Sequence, residues 1–247
     1  MIKDYSVYNY KPKEYICNVV MGSLIGVIIG YVFYSNILAI FISLFYGFLY
    51  AKERKKTLIE QRRWQLNQEF GDGLDSLSAS LSAGYAVDNA FSEALKSLKL
   101  IYNEEAYIII EFKMIVDKLN KNIRIDDILK DFAQRSRVYD IYNFTEVFIT
   151  ANKTGGDLIK IIRNTSKTIS DKVEVKREIQ TLISAKKMEA NIMNVIPIVI
   201  ILYLRIFSPE FLSPLYHNMF GILFMTLILF TYYITYRVSN KIMDIEV

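Results

Sequence analysis

The chain has 247 residues, of which 52% are hydrophobic and 14% aromatic while 23% are charged, a mixture that means segregation into oily and watery stretches. Four prolines and ten glycines are too few for a loop-rich β protein, and 30 Lys and Arg nearly matched by 26 Asp and Glu, a net charge of +4, argue against a nucleic-acid binder. A lone cysteine, Cys17, excludes an intrachain disulfide, and a lone histidine, His217, cannot by itself form a zinc site or find a second histidine for a triad.

After a short N-terminal segment, residues 1–14, the run from Tyr15 to Ala51 carries no charged residue. As one helix it would be about 55 Å long, far more than the ~30 Å hydrocarbon core of a bilayer requires. It therefore reads as a transmembrane hairpin of two spans turning at Ser35-Asn36, with Tyr31 and Tyr34 as interface aromatics. A cleaved signal peptide competes for the first apolar stretch, but a second follows it with no small-residue cleavage site.

From about residue 52 to residue 190, apolar residues recur at helical spacing and scarcely alternate as in strands. Leu66, Phe70, Leu74, Leu77 and Leu81 form one stripe; Val87, Ala90, Phe91, Ala94, Leu95 and Leu98 a second; Ile108, Phe112, Ile115, Val116 and Leu119 a third. Ile125, Ile128, Leu129, Phe132 and Ala133 follow, then Ile141, Phe144, Val147, Phe148 and Ala151, then Leu158, Ile161, Ile162, Thr165 and Ile169. Each stripe covers one face, so none of these helices is stable alone, and the set predicts a six-helix bundle. Gly84 separates the first two helices and Gly155-Gly156 the last two. Asn103-Glu104-Glu105 reads as a helix cap, and Asp126-Asp127 as acidic residues in a first turn. Thr154 or Asp157 is placed to cap the sixth helix, which runs without proline to the next apolar stretch.

Residues 191–236 repeat the hairpin: Asn191 to Leu204, a break at RIFSPEFLSPLYHN, then Met219 to Tyr236. Pro197 inside the third span is tolerable where neighbours or local backbone adjustment satisfy the freed carbonyl. Residues 237–247 form the C-terminal segment. With four spans, Lys3, Lys11, Lys13, Lys52, Arg54, Lys55, Lys56, Arg62, Arg63, Lys186, Lys187, Arg237 and Lys241 fall on one side and only Arg205 on the other. By the positive-inside rule that side is cytoplasmic, which puts both termini and the central domain there. The basic cluster after the second span also has a reading as an anionic-lipid site.

Catalytic constellations dissolve on inspection. Lys153-Thr154-Gly155-Gly156-Asp157-Leu158 lacks the residue order and the preceding strand of a phosphate-binding P-loop. Asp126 and Asp127, adjacent on a helix, point to different faces. No span carries a charge near its centre, as a transporter would require. No metal ligand set and no cofactor motif stands out, and the pattern fits a protein that works by holding other proteins.

Three stretches carry a family resemblance: LSASLSAGYAVDNA from Leu77 to Ala90, which contains Gly84; DILKDFAQR from Asp127 to Arg135; and KTGGDL, with Thr154, Gly155, Gly156, Asp157 and Leu158. Pro197 and the following Ser208-Pro209-Glu210 fit as well. From about Leu66 onward the chain resembles the F-domain platform proteins of type II secretion and type IV pilus machines, and it looks closest to the Tad branch, the TadB- and TadC-like proteins. Members often carry glycine before the fourth helix, where Asn120-Lys121-Asn122 stands here, and Asn is the next best residue for a left-handed turn. The resemblance implies a bacterial inner-membrane protein that catalyses nothing. Its implied partners are a hexameric cytoplasmic ATPase, pilin subunits, and a second copy or homologous platform protein as a dimer, with no nucleic acid. Gly155 and Gly156 then have two readings, a surface for the ATPase or only the positive backbone angles of a helix reversal. A membrane-anchored scaffold or signalling protein unrelated to pili, and an enzyme acting on lipid at the membrane surface, remain as alternatives.

Overall fold

The computed structural model describes residues 4–5, 12–34, 46–216 and 218–243. It is all-α, with no strand among the described residues. The helices are α1 (Pro12–Tyr34), α2 (Tyr46–Ser82), α3 (Val87–Ile101), α4 (Tyr107–Leu119), α5 (Ile125–Ser136), α6 (Tyr139–Thr154), α7 (Leu158–Phe207), α8 (Pro209–Tyr216) and α9 (Met219–Met243). The chain divides into two compact units, one of residues 1–9 and 56–175, the other of residues 10–55 and 176–247.

In the first unit the apolar stripes close over a single core. Leu66, Phe70, Leu74 and Leu77 of α2 are buried with Phe91 and Leu98 of α3, Ile108 and Phe112 of α4, Leu129 and Phe132 of α5, Phe144 and Phe148 of α6, and Ile162 and Ile169 of α7. Phe70 stands at the aromatic centre, its ring edge-on to Phe132 at 5.9 Å and to Phe144 at 5.4 Å, the geometry that ring quadrupoles favour. Two glycines let α2 come close to its neighbours. A Cβ on Gly71 would sit 3.1 Å from Ile169, and one on Gly73 3.0 Å from Phe112. Val147 departs from its stripe, since its side chain is 49% exposed.

The start of α4 is satisfied from farther along the chain than a local cap would allow. Asn103-Glu104-Glu105 supplies no side-chain cap to α4. The buried Glu69 of α2 does so instead, its Oε2 accepting from the Ile108 N–H at 2.9 Å while Gln65 donates to its other oxygen at 2.8 Å. That remote carboxylate does two jobs at once, since a helix N-terminus both lacks hydrogen-bond partners and favours negative charge. Asn122, with φ of 59°, makes the left-handed turn before α5, and Arg137, at φ of 51°, makes the one after it.

The charged centre of this unit is an ion pair whose carboxylate water does not reach. Glu111 of α4 is fully buried, and Arg135 of α5 grips it with two hydrogen bonds, Nη1 to Oε1 at 2.9 Å and Nη2 to Oε2 at 2.7 Å. The Arg135 Nε donates to Asp131 at 3.0 Å, and Lys118 donates to the same oxygen at 2.7 Å. Burial disfavours the Arg135 charge, but Glu111 and Asp131 outweigh it and hold the guanidinium above its ordinary range. Burial likewise opposes ionisation of Asp131, and the hydrogen bonds from Lys118 and Arg135 reverse that and lower its pKa.

The second unit is apolar outside as well as in. Three helices among the described residues are long and apolar enough to cross a membrane, not the expected four: α1, the later part of α7, and Met219–Ser239 of α9. The expected turn at Ser35-Asn36, and most of the second span up to residue 45, lie outside the described residues. What is described of that span, Tyr46 to Ala51, opens α2 and continues without interruption into the charged sequence that follows. The membrane-length stretch of α7 has no buried residue, and Val199 at 54% and Leu223 at 68% typify the exposed faces of α7 and α9. Apolar surface of this extent is stable in lipid and not in water, and the chain is a multi-pass membrane protein.

Small residues and tyrosine hydroxyls join these helices. Gly22, Gly26 and Gly30 line the buried side of α1, and a Cβ on Gly22 would come 3.0 Å from the Gly47 Cα at the start of α2. Tyr216 donates to the Val32 carbonyl at 2.7 Å, and Tyr232 of α9 to the Asn194 carbonyl of α7 at 2.7 Å. Arg205 stacks on the Tyr31 ring, 3.7 Å from its centroid, and donates to the Tyr31 carbonyl. Pro209 opens α8 at the first helical position, where its missing N–H costs nothing.

Replacing Glu111 by Ala is expected to cost about 1.5–3 kcal/mol, because the mostly buried Arg135 keeps Asp131 but loses its bidentate, charge-assisted pair of hydrogen bonds. Thermal unfolding in detergent should show Glu111→Met with Arg135→Met costing less than the sum of the two single changes; a purely additive pair would contradict the coupling.

Candidate functional site

The junction of α6 and α7 gathers five consecutive positions of the KTGGDL motif. Helix α6 ends where Gly155 adopts φ of 73° and ψ of 27°, the left-handed conformation that glycine reaches without steric penalty. The N–H groups of Gly155 and Gly156 both point to the Ala151 carbonyl, the second at 2.8 Å, which satisfies an orphan acceptor of the last turn. Gly156 is small for a different reason, since a Cβ there would lie 3.1 Å from that of Ala151. Asp157 then caps α7, its Oδ1 accepting from the Lys160 N–H at 3.0 Å, while Thr154 turns back and donates to the Thr150 carbonyl at 2.9 Å. Leu158 is half-buried against the main core and fixes the start of α7 on it.

This reversal forms one side of a shallow groove of about 420 Å³ lined by Glu146, Val147, Thr150, Thr154, Gly156 and Ile161. The exposed Val147 explains itself here: it belongs to the groove and not to the core. The neighbouring Lys153 reaches Asp126, 4.0 Å away, which Arg124 also contacts at 3.1 Å. Asp126 therefore binds cations from two segments, and no side-chain cap forms at the start of α5. Its Oδ1 is buried with no hydrogen-bond partner.

The other motif residues lie elsewhere. Gly84, at φ of 90° with open space where a Cβ would be, ends α2 by backbone conformation alone. Ala90 is fully buried in the core face of α3. Neither lines the groove. Pro197 sits within α7 on an exposed face of the second unit.

Glu111, Arg135 and Glu69 are the polar residues that pattern reading passed over. A signal existed for two of them. Glu111 lies on the stripe of Ile108, Phe112 and Ile115, and Arg135 three residues beyond Phe132 on the stripe of Ile128 and Leu129, so each is a charge at a core position. Among the described residues no group of three or more His, Cys, Asp or Glu gathers to hold a metal ion. The groove itself offers two hydroxyls, one carboxylate and aliphatic surface, a chemistry suited to contact.

Backbone conformation gives the glycines distinct expected behaviour. Gly155→Ala should cost about 1–2 kcal/mol in thermal unfolding and Gly155→Asn less, since a short polar side chain tolerates the left-handed region. Equal losses for the two substitutions would argue against that conformation.

A family model described as type II secretion system (T2SS), protein F, matches residues 74–204, just over half of the chain. The match takes in Gly84, Ala90, the whole KTGGDL motif and Pro197. Neither the curated proteins nor the solved structures show a match to this chain. With that match laid over the core helices and the apolar stretch of α7 as far as Leu204, the chain belongs to the family of type II secretion system protein F.

Proposed function

We propose that the chain is a non-enzymatic platform protein of the bacterial inner membrane, serving a type II secretion machine or a type IV pilus, with the Tad branch preferred. In this role it couples a cytoplasmic hexameric assembly ATPase to polymerisation of pilin subunits, and pairs with itself or with a homologous platform protein. The observation that carries the reading is the family match over residues 74–204 in a chain with three membrane-length apolar helices. Residues 52–190 act as a cytoplasmic F-type domain, a bundle of the six helical segments whose side chains meet in one core. The groove beside Gly156 is the ATPase contact, supported by an exposed valine in a charge-bearing helical surface.

Two contacts support the topology. Tyr5 packs in the same core as α2 to α7, which supports an N-terminal segment on the same side of the membrane as the helical domain. Gly47 lies against Val19 and Ser23, midway along α1, which supports a chain that comes back beside α1 before reaching Lys56. Both termini are then cytoplasmic, in keeping with the basic residues that flank the apolar stretches.

Val147→Arg places a charge in the groove on an exposed position. In cells it is expected to abolish co-purification of the assembly ATPase and surface pili, with pilin still made and the melting temperature of the variant unchanged; retained co-purification would remove the groove from the contact. Orientation is read separately. Single cysteines at Lys13 and at Ser239, in a Cys17→Ser background, should be shielded from a membrane-impermeant maleimide in intact spheroplasts and labelled in inverted vesicles. The reverse result at either position would overturn the arrangement.

A further inference from the structure

Tyr5 is far from its surroundings in sequence and completely enclosed by them. Its side chain is 0% exposed, and its hydroxyl donates to Glu111 Oε1 of α4 at 2.9 Å across a separation of 106 residues. Its backbone N–H donates to the Arg135 carbonyl at the end of α5 at 3.1 Å, and Arg63 of α2 donates to its carbonyl at 3.4 Å. The ring stands edge-on to Tyr107, centroids 5.6 Å apart at 81°. Three helices thus read every polar group of one tyrosine and hold its ring by a directional aromatic contact.

We propose that this slot is a binding site for a tyrosyl side chain, and that Tyr5 fills it in cis as a releasable latch that fastens the N-terminal segment to the helical domain. The slot is selective for a phenol because the acceptor at its end is a carboxylate with no access to water, which an apolar ring would leave with an unused lone pair. It is releasable because Glu111 does not depend on Tyr5 for its neutralisation. Arg135 holds both carboxylate oxygens, so when the phenol leaves, the ion pair survives and only one hydrogen bond to it is lost. The Tyr5 contacts are also separable by sequence from the rest of the unit, which resumes only at Lys56. A core residue such as Phe70 has no comparable freedom, being flanked on both sides by the helix that carries it.

The test uses the full-length protein in nanodiscs. Tyr5→Ala should leave the domain folded and open the slot, so 4-methylphenol should raise its melting temperature saturably while toluene, which lacks the hydroxyl, does so far less. Wild type, with the slot filled, should respond to neither. Tyr5→Phe, which fills the volume without the hydrogen bond, should also fail to respond to 4-methylphenol. Trypsin should cut after Lys3, two residues before the latch, about tenfold faster in Tyr5→Ala than in wild type, with Tyr5→Phe in between. Equal responses of wild type and Tyr5→Ala to 4-methylphenol, no response of Tyr5→Ala, or equal cleavage rates would each overturn the latch. Loss of folding in Tyr5→Ala together with unchanged cleavage in Tyr5→Phe would show Tyr5 to be an ordinary core residue, and so would also overturn it. Tyr5→Ala that dimerises less than wild type at equal concentration would place the latch between copies and refute the cis assignment.

Discussion

A carboxylate removed from water must be neutralised where it lies, and in this protein Glu111 imposes that requirement on everything around it. Its two oxygens take a parallel pair of bonds from the Arg135 guanidinium, which fixes the rotation and the distance of α5 against α4. The same guanidinium is steadied from its other edge by Asp131, itself held by Lys118 of α4, so the two helices are cross-linked twice by charge. Apolar stripes alone would permit neighbouring helices to slide by a turn with little penalty. A bidentate pair does not, because one turn of slip separates the charges by about 5.4 Å and leaves both desolvated and unpaired. Specific register is therefore the service that this polar pair supplies to a core otherwise made of interchangeable hydrocarbon.

How far such an arrangement can be read in the sequence depends on the range of each interaction. The stripes were legible because helical burial repeats every three or four residues, and Leu66, Phe70, Leu74 and Leu77 are buried as their spacing requires. The left-handed glycines were legible because conformation at Gly84 and Gly155 is a local property. Val147 was misplaced because periodicity gives the direction of a side chain but not whether another helix arrives to cover it. The cap of α4 was misassigned for the same reason: the nearby acidic residues were a sound local guess, yet the donor group is met by Glu69, 39 positions away. Tyr5 was beyond reach altogether, since nothing in the short N-terminal segment sets it apart from Tyr8 and Tyr10.

Charge on an apolar stripe was the signal left unused. A lone Glu or Arg on the buried face of an amphipathic helix costs several kcal/mol unless paired, so two of opposite sign on consecutive helices point to each other through their spacing alone. Glu111 and Arg135 are such a pair. The Gly22, Gly26 and Gly30 series in α1 was equally readable, as small residues four apart let membrane helices approach closely.

The two units differ in what water, or its absence, asks of them. In the first, each helix hides a stripe and the exposed apolar residues are exceptions, among them Leu100, Tyr139 and, lining the groove, Val147. In the second, apolar exposure is the rule on α7 and α9, and the informative groups are the polar ones: Tyr216 and Tyr232 on backbone carbonyls, and Arg205 on the face of Tyr31. Burial thus changes meaning along a single helix. The first turns of α7 bury Ile162 and Ile169 to escape water, while its later turns leave Val199 and Ile200 uncovered because lipid is their solvent. Surface reading of this chain must follow that change, and a contact site for a soluble partner is sought among the apolar exceptions of the first unit, where each one needs a reason.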